Sequence, residues 1–218
     1  MPDFSILTNN IDMYLEGFKY TVMSSVIALI GSFIIGVILA VMRIAPIRIL
    51  NWIGSAFVEF VRNIPLVLIA FIFYFALPVI GITLNGFVAG TVTLTVYTAA
   101  FIAEVIRAGI LSVAKGQMEA ARSSGLTYVQ AMYYVVLPQA VKIVIPPLGN
   151  QFLNLVKNSS ILGIIAGADL MYQGDLISTK TFVTFDVYIF VGMFYLILTI
   201  PLSMLVRYLE KRLAKEAV

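Results

Sequence analysis

The chain has neither cysteine nor histidine. Thiolate nucleophiles, imidazole bases, disulfides and His or Cys metal sites are therefore excluded, and any chemistry falls to carboxylates, hydroxyls, amides and lysines. The polar groups that could supply it stand where they are costly. Asn150, Asn154, Lys157 and Asn158 recur at helical spacing inside an apolar stretch, followed by Ser159, Ser160 and Ile161. An ionisable residue in such a stretch faces a cavity or a partner. Read as one helix face, these residues offer a cation and several hydrogen-bonding groups to a ligand with an α-carboxylate. The structural alternative pairs Lys157 with Glu104, or with carbonyl groups at a subunit interface. Two acid–base pairs stand three residues apart, Glu59 with Arg62 and Glu104 with Arg107, a spacing that suits helical ion pairs. They read either as a gate whose pairs break and re-form or as interfacial anchors that snorkel. No HExxH, GxSxG or GxxxxGK[ST] pattern is present, which argues against an enzyme and against ATP binding on this chain.

The elements that must position these residues are membrane spans. Of 218 residues, 61% are hydrophobic and 11% charged, and the mean hydropathy is +1.02, outside the range of soluble domains. Each span needs about 20 mostly apolar residues and at that length must be a helix. Hydropathy marks five candidates, about 20–42, 62–84, 86–108, 143–166 and 187–206, within one domain covering 1–218. The expected fold is thus an all-α integral membrane bundle of five transmembrane helices. Lys157 then lies roughly 21 Å from the inner boundary of the fourth span.

Orientation follows from the cations. Arg43 and Arg48 follow the first span, Arg107, Lys115, Arg122 and Lys142 surround the connection between the third and fourth, and Arg207, Lys211, Arg212 and Lys215 follow the fifth. The positive-inside rule places these regions in the cytoplasm, the N-terminus outside and the C-terminus inside. Asp3, Asp12, Asp169, Asp175 and Asp186 fall on the outer side. The net charge of +3 is absorbed by this anchoring and implies no nucleic-acid partner. The opening residues lack the pattern of a removable signal peptide. Met1 to Lys19 is expected either as an amphipathic helix on the outer interface or as a frayed terminus. Gly31, Ser32, Gly36, Gly86 and Gly90 permit close helix approach, and Phe71, Phe73, Tyr74 and Phe75 read as packing groups. Pro146 and Pro147 are expected to mark the first turn or a kink of the fourth span.

A polar island occupies about 115–138. Gln117 to Ser124 forms helix readily and stops at Gly125, a natural C-terminal cap. Thr127 and Gln130 fit a capping box, and a second short helix from Tyr128 to Val136 is expected to end at Leu137 and Pro138. Two short helices bent at a glycine make a knob, which reads either as a docking surface or as a re-entrant or interfacial connector.

The island also carries a resemblance. Glu119, Ala120, Ala121, Gly125, Val135, Leu137 and Pro138 follow the signature of permease subunits of bacterial ABC importers, with Val135 where isoleucine is usual. Glu59–Leu66, Ala103–Gln117 and Leu137–Asn158 resemble the polar amino-acid branch of that family. The resemblance implies a permease in the bacterial plasma membrane that is not an enzyme. Two ATP-binding subunits, holding ATP and magnesium, would dock on Glu119, Ala120, Ala121, Gly125, Leu137 and Pro138, the coupling helix of the third-to-fourth loop. A second permease copy or a sister permease would complete the pathway, and an extracytoplasmic solute-binding protein would deliver the amino acid. Asn154, Lys157, Asn158, Ser159 and Ser160 would line the route, and Arg62, Asn63 and Pro65 resemble a motif near the inner mouth. The stretch Lys157–Ser160 holds no carboxylate, which favours glutamine or glutamate over arginine, lysine or histidine. An importer of basic amino acids, or an ATP-independent secondary transporter or channel, is the alternative.

Overall fold

In the computed structural model, residues 3–215 are described and fold into helices, with no strand among them. Met1, Pro2, residues 216–218 and the side chains of residues 213–215 lie outside the described set. The helices are α1 (Phe4–Asn9), α2 (Ile11–Ile44), α3 (Arg48–Arg62), α4 (Leu66–Phe71), α5 (Gly86–Ser112), α6 (Lys115–Ser123), α7 (Tyr128–Ala131), α8 (Leu137–Asn158), α9 (Leu170–Thr181) and α10 (Phe185–Lys215). Short π and 3-10 segments extend α4 to Ile80, join α7 to α8 through Met132–Val136, and carry α8 on to Ile165.

Four helices are long and apolar enough to cross a membrane: α2, α5, the rod Tyr128–Ile165, and α10 over Phe185–Arg212. A fifth crossing exists only if α3 and Leu66–Ile80, which meet at 104°, count together as one span. The expected span 62–84 is therefore one arm of a bent pair. Its break at Asn63–Pro65 has a local cause, because Pro65 donates no N–H and biases Ile64 away from helical geometry.

Two other expectations are corrected. Residues 11–19 are neither frayed nor laid on a surface; they are the first turns of α2. Tyr14 is fully buried, its ring against Phe190 and Phe194, and a Cβ on Gly17 would come within 2.7 Å of the Leu170 backbone. Those contacts hold the segment inside the bundle. The second island helix does not stop at Pro138, since α7 runs through the π segment into α8. Proline is tolerated in that first turn of α8, and the Gln139 side-chain amide donates to the Val135 carbonyl at 2.7 Å. Pro146 and Pro147 accordingly lie well inside the rod.

The spine of the bundle is α2 against α5. Gly31 abuts Thr95, and a Cβ on Gly36 would stand 2.6 Å from Ile102, so small residues let these helices approach. The 3-10 segment after α8 packs on α5 in the same way, Gly86 against the Ile165 carbonyl and Gly90 against Leu162. Two ends result, about 39 Å apart if measured along α2 from Gly17 to Arg43. At the cationic end lie Arg43, the crossing of α3 over α2, and the α5–α7 connection. At the opposite end α9 and the start of α2 enclose Asp169.

Candidate functional site

The cationic end is organised by Arg43, whose side chain is buried. One terminal nitrogen donates to Glu104 Oε2 at 2.6 Å and the other to Glu59 Oε1 at 3.1 Å. Glu104 also receives Arg107 in a fork, Nη2 at 2.6 Å and Nε at 3.1 Å, the bidentate geometry that makes guanidinium–carboxylate pairs strong. Arg62 approaches both carboxylates at 3.8 and 3.7 Å and stands 5.5 Å from the centroid of the Phe101 ring. The two ion pairs expected from sequence are therefore present, but as parts of one network of three guanidiniums and two carboxylates joining α2, α3 and α5. Arg43, sixteen and sixty-one residues from its partners, is the hub that local spacing missed.

Beyond Phe101 lies a polar recess of about 250 Å³ between α5 and α8, lined by Tyr97, Thr98, Phe101, Gln151, Asn154, Leu155 and Asn158. Asn158 also borders a second recess of about 350 Å³ with Leu66, Ser160, Met171 and Asp175 toward the opposite end. The two depressions thus share one amide. Gln151 extends the Asn154–Asn158 stripe by one helical step, a signal that periodicity could have supplied. Asp175, a hydrogen-bond partner of the Tyr188 hydroxyl, had no such signal.

Two expected lining residues point elsewhere. Lys157 opens onto a separate depression with Leu153, Thr199, Ile200 and Ser203, on the side where Gly149 meets Val206 of α10. Adjacent helix positions are about 100° apart, so Lys157 cannot share the face of Asn158. The lysine does not pair with Glu104 either, since the ion-pair partners described for that carboxylate are Arg43, Arg62 and Arg107. Ser159 is fully buried and donates back to the Val156 carbonyl at 2.7 Å.

The island at the same end is held by local bonds. Gly125 adopts φ +88°, and the N–H groups of Gly125 and Leu126 donate to the carbonyls of Arg122 and Ala121, which is a Schellman closure. Thr127 and Gln130 form the reciprocal capping box expected from sequence. Glu119, Ala120, Gly125 and Pro138 are exposed, whereas Ala121 is buried and Leu137 is half-buried, packed beside Val136 and Ala140. Ala121, expected among the docking residues, thus braces α6 from within.

At the opposite end, Asp169 caps α9. Its carboxylate accepts from the N–H groups of Met171 and Tyr172 at 3.2 and 3.1 Å and from the Tyr195 hydroxyl at 3.5 Å. Burial is the main cause that pushes this carboxyl up to about 7, against the pull of those bonds. Among the described residues no His, Cys, Asp and Glu cluster is arranged to hold a metal ion.

Comparison with known proteins places this geometry. The family model described as "Binding-protein-dependent transport system inner membrane component" matches residues 11–215. The probable glutamine ABC transporter permease protein GlnM of Bacillus subtilis (strain 168) is 69% identical over 211 residues, covering 97% of this chain and 98% of that protein. The glutamine transport system permease protein GlnP of Escherichia coli (strain K12) is 35% identical over 213 residues, 97% of each chain. A crystal structure of an amino acid ABC transporter with histidines superposes with a TM-score of 0.91 at 34% identity, over 97% of this chain and 99% of that one.

Proposed function

Because this chain belongs to the family of binding-protein-dependent transport system inner membrane components, we propose that it is the subunit through which an ATP-driven importer passes glutamine. It is a non-catalytic, multi-pass ABC permease subunit. In this reading residues 1–218 act as one transmembrane domain in a bacterial plasma membrane, crossing five times, with the bent pair making one crossing through Leu66–Ile80 and α3 as its oblique arm. The cationic end and the C-terminus face the cytoplasm and the N-terminus lies outside. A second permease copy or a sister permease completes the pathway, a solute-binding protein delivers substrate from outside, and two ATP-binding subunits hold ATP and magnesium.

Coupling runs through the island. Glu119, Ala120, Gly125 and Pro138 offer the contact surface, with Ala121 and Leu137 as the packing behind it. ATP-driven closure would press on α6, and the rod from Tyr128 carries that displacement about 45 Å to Asn158. The network of Arg43, Glu59, Arg62, Glu104 and Arg107 lies between the island and the recess and serves as the inner gate. Asn154, Asn158 and Ser160 line the route together with Tyr97, Thr98 and Gln151. Lys157 and Ser159 support the rod from outside the route.

The carrying observation is that the hydrogen-bonding groups of the recess at Tyr97, Thr98, Gln151, Asn154 and Asn158 bear no formal charge. A charged side chain entering there loses hydration without gaining a counter-ion, whereas a side-chain amide finds donors and acceptors. This favours glutamine over glutamate and over arginine, lysine and histidine, in line with the names of the relatives. The test is uptake of labelled amino acids into proteoliposomes holding this chain, its ATPase and its binding protein. ATP-dependent accumulation of glutamine is expected; accumulation of arginine or histidine instead, or glutamine entry without ATP, would refute the reading.

A further inference from the structure

Helix α3 divides into three sectors. Gly54, Val58 and Val61 are buried against Met42 and Arg43 of α2 and the Leu39, Ala40, Ala99 and Ala103 cluster. At about 100° per residue, Arg48, Asn51, Ser55, Glu59 and Arg62 form a polar sector beside this seam. The remaining sector is apolar and bare: Ile49 is 71% exposed, Trp52 73% and Phe60 64%. Trp52, the one tryptophan of the chain, stands next to Arg48 on the border between the polar and apolar sectors. Both line an open groove with Ala45, Pro46, Ile49, Asn51 and Ser55. Arg48 forms no ion pair among the described residues. The helix packs on α2 near Met42 and Arg43 and meets Leu66–Ile80 at 104°.

We propose that α3 is an interfacial helix that binds anionic phospholipid at the cationic end, with Trp52 among the upper acyl chains and Arg48 on the headgroup phosphate. An apolar sector beside a polar one is the pattern of a helix lying in the membrane plane, and tryptophan prefers that boundary. The charge is complementary as well, because an arginine near an anionic surface gains about 1 kcal/mol from it, which is about fivefold local enrichment. A second copy of this chain is the rival occupant, which lipid quenching distinguishes. The inference is independent of which amino acid is carried and of the coupling scheme.

The single tryptophan makes the test direct. The full chain is reconstituted in nanodiscs, and Trp52 emission is followed with lipids brominated near the glycerol or near the methyl end. Trp52→Phe gives the background. Quenching is expected to be stronger for bromines near the glycerol. At equal low mole fraction, brominated phosphatidylglycerol should quench about fivefold more than brominated phosphatidylcholine. Arg48→Gln should bring that ratio to about one and Arg48→Lys should keep it. Absence of quenching by either lipid would show that protein, such as a second copy, covers the helix. Equal quenching by the two headgroups, or stronger quenching from the methyl end, would equally overturn the proposal.

Discussion

Glu104 and Asp169 are carboxylates withdrawn from water near opposite ends of the same bundle, and the chain treats them in opposite ways. Glu104 is held by three guanidiniums drawn from α2, α3 and α5. Asp169 is fully buried but has two backbone N–H groups and a tyrosine hydroxyl around it. The first arrangement fixes charge by opposing charge, so it depends on every member and links helices far apart in sequence. The second is a helix cap, local and tolerant of a neutral carboxyl. The first can be rearranged by trading partners among its five members, whereas the second changes only when its cap breaks.

The contrast is broken most severely at its hub. Arg43→Met removes the hydrogen bonds to Glu59 and Glu104 while Glu104 keeps its Arg107 fork, and hydrogen bonds to charged groups are worth about 1.5–3 kcal/mol each. A large fall in the thermal unfolding midpoint in detergent is expected, with Arg43→Lys recovering only part of it because the fork is lost. The Asp169 end is probed by pH. Its folded pKa is raised from 3.8 to about 7, so the fold holds the proton more tightly than the unfolded chain does. The stability contributed by that proton is complete below about 3.8 and is lost as pH climbs through about 7. Unfolding midpoints measured from pH 4 to pH 8 should therefore decline by at most about 4 kcal/mol in equivalent stability. Asp169→Asn, which keeps a capping oxygen, should flatten this profile.

Smaller changes sharpen the comparison by sparing both ends. Gly125→Val forces a β-branched residue into φ +88° although the space around it is open. Its expected cost is about 1–2 kcal/mol of local strain, read as weakened retention of the ATPase with unchanged membrane insertion, and Gly125→Asn should largely restore retention. Asn154→Leu should lower glutamine uptake about tenfold through one lost hydrogen bond. Lys157→Met, on the face away from the recess, should leave uptake nearly unchanged. A transport loss at Lys157 greater than that at Asn154 would return the lysine to the route.

The parts legible in the sequence are those whose causes lie within a few residues. Gly125, Thr127 and Gln130 announce a cap and a capping box because the bonds involved span at most five positions. The pairs Glu59–Arg62 and Glu104–Arg107 are legible for the same reason. Arg43 is not, because its partners arrive only when three helices pack. Hydropathy misplaced the start of α2, where exposed Asp12 and Glu16 hide a segment anchored by Tyr14 and Gly17. It also marks 62–84 as a whole span although Leu66–Ile80 is one arm of a bent pair with α3, since a window average does not register direction. Lys157 stands about 100° from Asn158 and opens toward Thr199 and Ser203 of α10, a difference that polar spacing alone does not register.

The π segment Met132–Val136 joins the island to the rod through a turn wider than an α-helical one. Its width fixes the angular phase between α6 and the amides of the recess. Inserting one further helical residue there would rotate Gln151, Asn154 and Asn158 by about 100° relative to α6, swinging Lys157 toward the space they vacate. The five residues of the segment thus act as an angular spacer between island and recess, for which their number matters as much as their identity.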